Sequence, residues 1–296
     1  MTYLRHFWSS KQGLTREKDL YSKIKASIAT ESEVSDFAVQ LEHEAVKYAA
    51  LTNPEHELWK GYDPATRNNM EVLIELNLLP NRPLLLAAIE TFEPKEIRSL
   101  SARLVNWSVR ALTLGTINSG KIEDVYCNVA RSIRNSNITT AREVYDNIVD
   151  VIAGDAEFEA EFAITRVTKT SLARYYLRSL EKHSRGKEPE NVPNPNPDEV
   201  NLEHVLPRNA KSEEWVGITN SGDVAAWTHR IGNMVLLQKG SNSRLGNKPF
   251  SDKRTVLANS AFVLTAEVAQ EEDWGPEEID RRQRRLAKLA VATWPR

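Results

Sequence analysis

The chain has 296 residues, enough to bury one sizeable core or two modest ones, and its 41% hydrophobic and 27% charged residues suit a soluble fold. Lys and Arg number 39 against 41 Asp and Glu, a formal net charge of −2, which excludes whole-chain attraction to a polyanion but not a local basic site. The single cysteine, Cys127, excludes an internal disulfide and a cysteine-built zinc knuckle, and no bilayer-length apolar run or secretory leader occurs, so a cytoplasmic protein without membrane association is expected.

In chain order, Tyr3, Leu4, Phe7 and Trp8 load the first residues with core-type side chains, which suggests a fragment or one half of a split system. From Thr15 to about Gly186 the pattern is helical. Tyr21, Ile24 and Ile28 recur at helix spacing, then Phe37, Leu41 and Ala45. Pro64 opens a segment carrying Met70, Leu73, Ile74 and Leu78, and Pro83 and Pro94 open two more, the second running through Leu100, Leu104, Trp107 and Ala111. The stretch 115–120 breaks the series. Further helices are predicted over 121–133, 140–152, 156–163 and 171–183; Thr140 with Glu143 makes a capping-box pattern, and Cys127 falls inside a helix as a buried structural thiol. No fixed period relates these segments, so a helical bundle or irregular array is expected over 1–186, serving recognition, dimerisation or docking.

Residues 187–199 hold Pro189, Pro193, Pro195 and Pro197 among Asn, Asp and Glu, a composition hostile to helix that reads as a linker. The remaining segment, 200–296, begins with a strand candidate at 202–206 and returns with a second at 231–237. Trp215 and Trp227 fill a small core between them. A short helix or turn follows at 242–247, and a terminal helix over 276–294 carries Ile279, Leu286 and Leu289, with Arg281, Arg282, Arg284 and Arg285 as a solvated face or a phosphate rail.

Chemistry concentrates in Glu203-His204-Val205-Leu206-Pro207, answered by His229-Arg230-Ile231-Gly232-Asn233 and by Asn242. Phosphodiester hydrolysis needs an activated water, countercharge for the phosphoryl oxygens and help for the departing oxygen. Near pH 7 a neutral histidine can accept the proton, and carboxylate and amide oxygens suit a hard divalent ion. Glu203 and His204 are adjacent, so on an extended strand their side chains point to opposite faces, and they share a pocket only where that strand bends. Between His204 and Arg254 there are eight basic and four acidic residues, an excess where a polyanion would dock. No Gly-rich phosphate loop occurs, and Gly232, Gly240 and Gly246 read as turns.

These motifs, with Asn242-Ser243 and the run from Asn247 to Lys253, resemble the C-terminal nuclease domain of the GmrSD-like family, of the HNH or His-Me finger class. The resemblance implies a mainly α protein: an N-terminal helical domain followed by a small ββα-metal nuclease domain with flanking helices. It implies His204 as general base, Glu203 and Asn242 as ligands of one divalent metal (Mg²⁺, with Mn²⁺ or Ni²⁺ as substitutes), and Asn233 as the residue that holds the loop and orients His204. His229 and Arg230 would lie close enough to contact phosphate or the leaving group, with Arg244, Lys248, Lys253 and Arg254 as further phosphate contacts. The implied partners are DNA, including modified or phage DNA in bacterial defence, a homo-oligomeric copy, and a sensor or nucleotidase subunit that would stand in for a domain not found in this sequence. The competing expectation is a catalytically inactive DNA- or protein-binding subunit of a defence complex.

Overall fold

A computed structural model describes residues 1–116, 120–186, 194–196, 198–211 and 214–296. Most of the expected linker therefore lies outside the described residues. The chain divides into two compact units, Met1–Gly154 together with Arg296, and Asp155–Pro295.

The first unit is helical: α1 (Thr2–Gln12), α2 (Glu17–Ser27), α3 (Glu31–Ala50), α4 (Pro64–Leu76), α5 (Asn81–Thr91), α6 (Pro94–Thr113), α7 (Gly120–Arg134) and α8 (Ala141–Ile148). The aromatic opening of the chain is α1 itself, whose Phe7 and Trp8 are buried. Helix α5 is apolar on nearly every side, and Leu84, Leu86, Ala87 and Ala88 are fully enclosed, as befits a helix packed against both α1 and α7. Asp63 caps α4, accepting from the Ala65 and Thr66 amides, while Pro64 takes the first turn, where its missing N–H costs nothing. Thr140 and Glu143 close the expected capping box on α8. Cys127 is fully buried on α7.

The second unit opens with α9 (Asp155–Phe162) and α10 (Thr170–Ser184). These two helices, which a boundary at the proline-rich linker would group with the first domain, pack with the C-terminal segment instead. Phe162, Tyr175 and Tyr176 stack around Trp294 with ring centroids 5.3–6.3 Å apart. Strand β1 (Val200–His204) pairs antiparallel with β2 (Met234–Gln238), placing His204 opposite Met234 and Glu203 opposite Val235. Between the strands lies α11 (Ser221–Thr228), capped by the Asn220 side chain on the Gly222 and Asp223 amides. After β2 come α12 (Lys239–Leu245), α13 (Phe250–Ala258), α14 (Val263–Ala266) and the long α15 (Pro276–Thr293).

The molecule is thus mainly helical with one two-stranded antiparallel sheet near its C-terminal end. The second strand starts later than its apolar run suggests, because Ile231–Asn233 form a 3₁₀ turn rather than extended chain. Val205, Leu206, Trp215, Val235, Leu237, Leu257, Trp274 and Ile279 fill the core beneath the sheet, with Trp227 packed partly buried against it. No helix among the described residues is long and apolar enough to cross a membrane.

Candidate active site

The site residues named from sequence gather at the end of β1. His204 is its last residue, and Asn233 ends the turn that leads into β2. Asn233 is fully buried with its amide fully used: Nδ2 donates to Leu206 O (2.9 Å) and Thr228 O (3.1 Å), and Oδ1 accepts from Leu206 N (2.8 Å) and Trp274 Nε1 (3.0 Å). Its carbonyl also accepts from Val205 N at 3.0 Å. Asn233 therefore clamps the two residues that follow His204, and it has no donor left for a substrate.

The His204 ring lies against that of His229, the residue ending α11, with centroids 5.8 Å apart in a T-shaped arrangement. His204 Nε2 and His229 Nδ1 are both buried without a hydrogen-bond partner. Burial, joined by the nearby charges of Arg208, His229 and Lys253, pushes the His204 pKa down to about 4, so the imidazole is neutral at pH 7. Burial also lowers that of His229, followed by Arg208 and Arg166.

Glu203 points elsewhere, as strand alternation requires. Its carboxylate pairs at 2.5 Å with Lys253 Nζ, and the Lys253 side chain has no exposed surface. The same ammonium donates to His204 O at 2.9 Å, so one lysine fixes both the carboxylate and the end of the strand. Burial raises the Glu203 pKa and lowers that of Lys253, while their mutual attraction opposes both shifts. Asn242, on α12, donates through Nδ2 to Leu202 O (3.2 Å), one residue from Glu203. That bond orients the amide against β1 and leaves its carbonyl oxygen without a hydrogen bond among the described residues. A carboxylate oxygen and an amide oxygen are donors of the kind a hard divalent ion takes.

Several cations suggested as phosphate contacts have other work. Arg230 donates to Gln283 Oε1, Ala163 O and Asp280 Oδ1 and covers the Trp227 ring, bracing α15 and the end of α9. Lys253 is the buried partner of Glu203, and Arg254 Nε donates to Ala269 O. Lys248 is exposed; the Arg244 side chain lies outside the described residues. On α15, Arg282 is buried and donates to Gly232 O, Met234 O and Leu264 O, holding the turn before β2. Motif and spacing assign Lys253 no central part, although Phe250, Lys253 and Leu257 fall at positions that share one helix face, and all three are buried. A lysine on an apolar stripe is the local signal of a buried ion pair.

Among the described residues, ligand atoms of His43, Glu44 and Glu90 come within 4.8 Å of one another, a candidate metal-chelating cluster in the first unit. Lys47 contacts all three there, and Arg134 holds Glu44 through both oxygens (3.0 and 2.9 Å). The local cations are thus already supplied by side chains. The cluster is remote in sequence from the strand site.

Comparison with known proteins supports the second unit as the seat of function. No curated protein matches the chain. Residues 152–289 match the model of the family described as GmrSD restriction endonucleases, C-terminal domain, a span that begins within three residues of the structural division. Over that segment the chain carries a GmrSD-like C-terminal nuclease domain of the HNH, or His-Me finger, class.

Proposed function

We propose that the second unit is a divalent-metal-dependent DNA endonuclease or nickase of the ββα-metal kind, with β1, β2 and α12 as its ββα element. The observation that carries this reading is the partnerless, buried His204 Nε2 at the end of β1, the strand that also carries Glu203. His204, neutral at working pH, accepts the proton of the attacking water. A phosphodiester anion beside the ring favours its protonated form, opposing burial and raising its pKa from about 4 towards the range useful to a general base. Asn233 holds the 205–206 backbone, and thereby His204, in register. The His229 ring packs on that of His204 and limits its rotation.

Glu203 and Asn242 would hold the divalent ion, Mg²⁺ for such oxygen donors with Mn²⁺ or Ni²⁺ as substitutes, supplying countercharge to the phosphoryl and leaving oxygens. The Lys253 ammonium opposes the rise that burial imposes on the Glu203 pKa, and one carboxylate oxygen lies outside the 2.5 Å contact. The family's description as restriction endonucleases supports a role in bacterial defence against modified or phage DNA, in the cytoplasm.

Incubation of supercoiled plasmid, modified and unmodified, with the chain and Mg²⁺ or Mn²⁺ tests this. Relaxed or linear product is expected, falling about 100-fold or more in His204→Ala. Asn242→Ala should demand more metal for the same rate. Cutting by His204→Ala at the wild-type rate, or no cutting of either plasmid by the wild-type chain, would overturn the assignment.

A further inference from the structure

Two basic surfaces flank α11, and their ion pairing differs. On the α15 side, a cavity of 660 Å³ is lined by Trp227, Arg281, Arg284 and Arg285. Each of those arginines has a carboxylate: Arg281 pairs with Glu271 (2.8 Å), Arg284 with Asp280 (2.7 Å) and Arg285 with Glu267. Internal pairs of this sort leave little field for an outside anion.

A second cleft, of 420 Å³, is lined by Arg166, Arg208, Asn209, Thr228 and His229, with no carboxylate lining it among the described residues. Arg208 makes no hydrogen bond or ion pair among the described residues. Arg166 donates only to Ala225 O, at 2.5 Å, which aims its guanidinium without neutralising it. His229 lines the cleft, its Nδ1 is buried without a partner, and its ring lies against that of His204. Guanidinium charge with no carboxylate partner among the described residues, an amide and an imidazole around one hollow make a receptor for a tetrahedral anion.

We infer that this cleft binds a backbone phosphate of the nucleic-acid strand flanking the one to be cut, with Arg166 and Arg208 as its clamps. The inference deepens the nuclease reading and rests on it for the identity of the ligand. Neither arginine would touch the reacting atoms; they would fix the register and direction in which the strand crosses His204.

The test is fluorescence anisotropy of a labelled 20-base-pair duplex with the full chain in EDTA, over a series of KCl concentrations, run beside plasmid cutting with Mg²⁺. Arg166→Gln/Arg208→Gln should weaken binding about tenfold and reduce the salt slope by about one for each phosphate no longer neutralised. Arg281→Gln/Arg284→Gln should bind within about twofold of wild type. Arg208→Gln alone, at an exposed side chain without hydrogen bonds among the described residues, removes charge without a folding risk and should show part of the loss. Wild-type affinity and salt slope in the double variant, or no duplex binding by the wild-type chain, would overturn the clamp. Arginine-dependent binding without plasmid cutting would leave the cleft standing and remove the nuclease reading. Cutting with arginine-independent binding would do the reverse.

Discussion

Lys253 shows how one side chain can decide the state of a site. It lies at 0% side-chain exposure, where an isolated ammonium is untenable, and survives there because Glu203 and the His204 carbonyl both receive its protons. Breaking a buried pair from one side strands the other charge, so Lys253→Met or Glu203→Gln alone should each cost about 3 kcal/mol of unfolding free energy. Combining them should cost clearly less than the sum, because neither charge is then left behind. Urea denaturation of the three variants checks this; additive losses would show that the two residues do not act as a pair. The histidine, carboxylate and amides were legible in the sequence because their residue types are rare together and carry chemistry. What was not legible was their bonding: that Asn233 has every donor and acceptor occupied, that Arg230 braces α15, and that Arg166 and Arg208 line a cleft with no carboxylate among the described residues. Arg166 and Arg208 stand 42 positions apart, and no local pattern announces that such residues share a hollow.

At the scale of elements, the approach of α15 to the turn before β2 sets the position of the whole strand pair. A Cβ at Gly232 would lie 2.3 Å from Ile279 O and 2.9 Å from Gln283 Cβ, both on α15, so only glycine permits this approach. Gln283 then accepts from Gly232 N at 2.9 Å, and Arg282 donates to Gly232 O at 2.7 Å, which locks the turn to the helix. Gly232→Ala must separate them and should destabilise the second unit by about 3 kcal/mol, as overpacking against backbone does. Gly240→Ala, with nothing within 4 Å and a place inside α12, should be neutral or slightly stabilising. Unequal urea midpoints for the two variants are the expected result, and equal midpoints would remove the close-approach argument. The same packing explains why the apolar run from Ile231 misleads. Its hydrophobicity reflects burial beneath α15, which a turn satisfies as well as a strand, whereas Met234–Gln238 gain the ladder with β1. Helices of the first unit were easier to place, since proline starts and the Thr140–Glu143 box act locally.

At the scale of the molecule, composition locates a boundary at the proline-rich stretch, whereas packing locates it at Gly154/Asp155. Proline and asparagine mark where a chain is unsuited to helix, which is a statement about backbone and not about which cores it separates. Helices α9 and α10, which precede that stretch, belong physically with the strands and helices beyond it. Gln283 Nε2 donates to Phe162 O (2.9 Å) and Thr165 O (2.8 Å), Glu181 accepts from the Val263 and Leu264 amides (2.7 and 2.9 Å), and Arg174 donates to Val200 O (3.2 Å) at the start of β1. Trp294, on the far end of α15, is 2% exposed, and its aromatic neighbours are Phe162, Tyr175 and Tyr176. A chain starting at Asn201 would lose those rings, expose the indole and orphan the Gln283 amide in the core. Expressed from Asp155 to Arg296, the polypeptide should give a dispersed amide spectrum and a single cooperative thermal transition. Expressed from Asn201, it should show a broad transition and bind a dye specific for exposed apolar surface. Cooperative melting of the shorter chain would mean that α9 and α10 are accessories and that the composition-based boundary is the functional one.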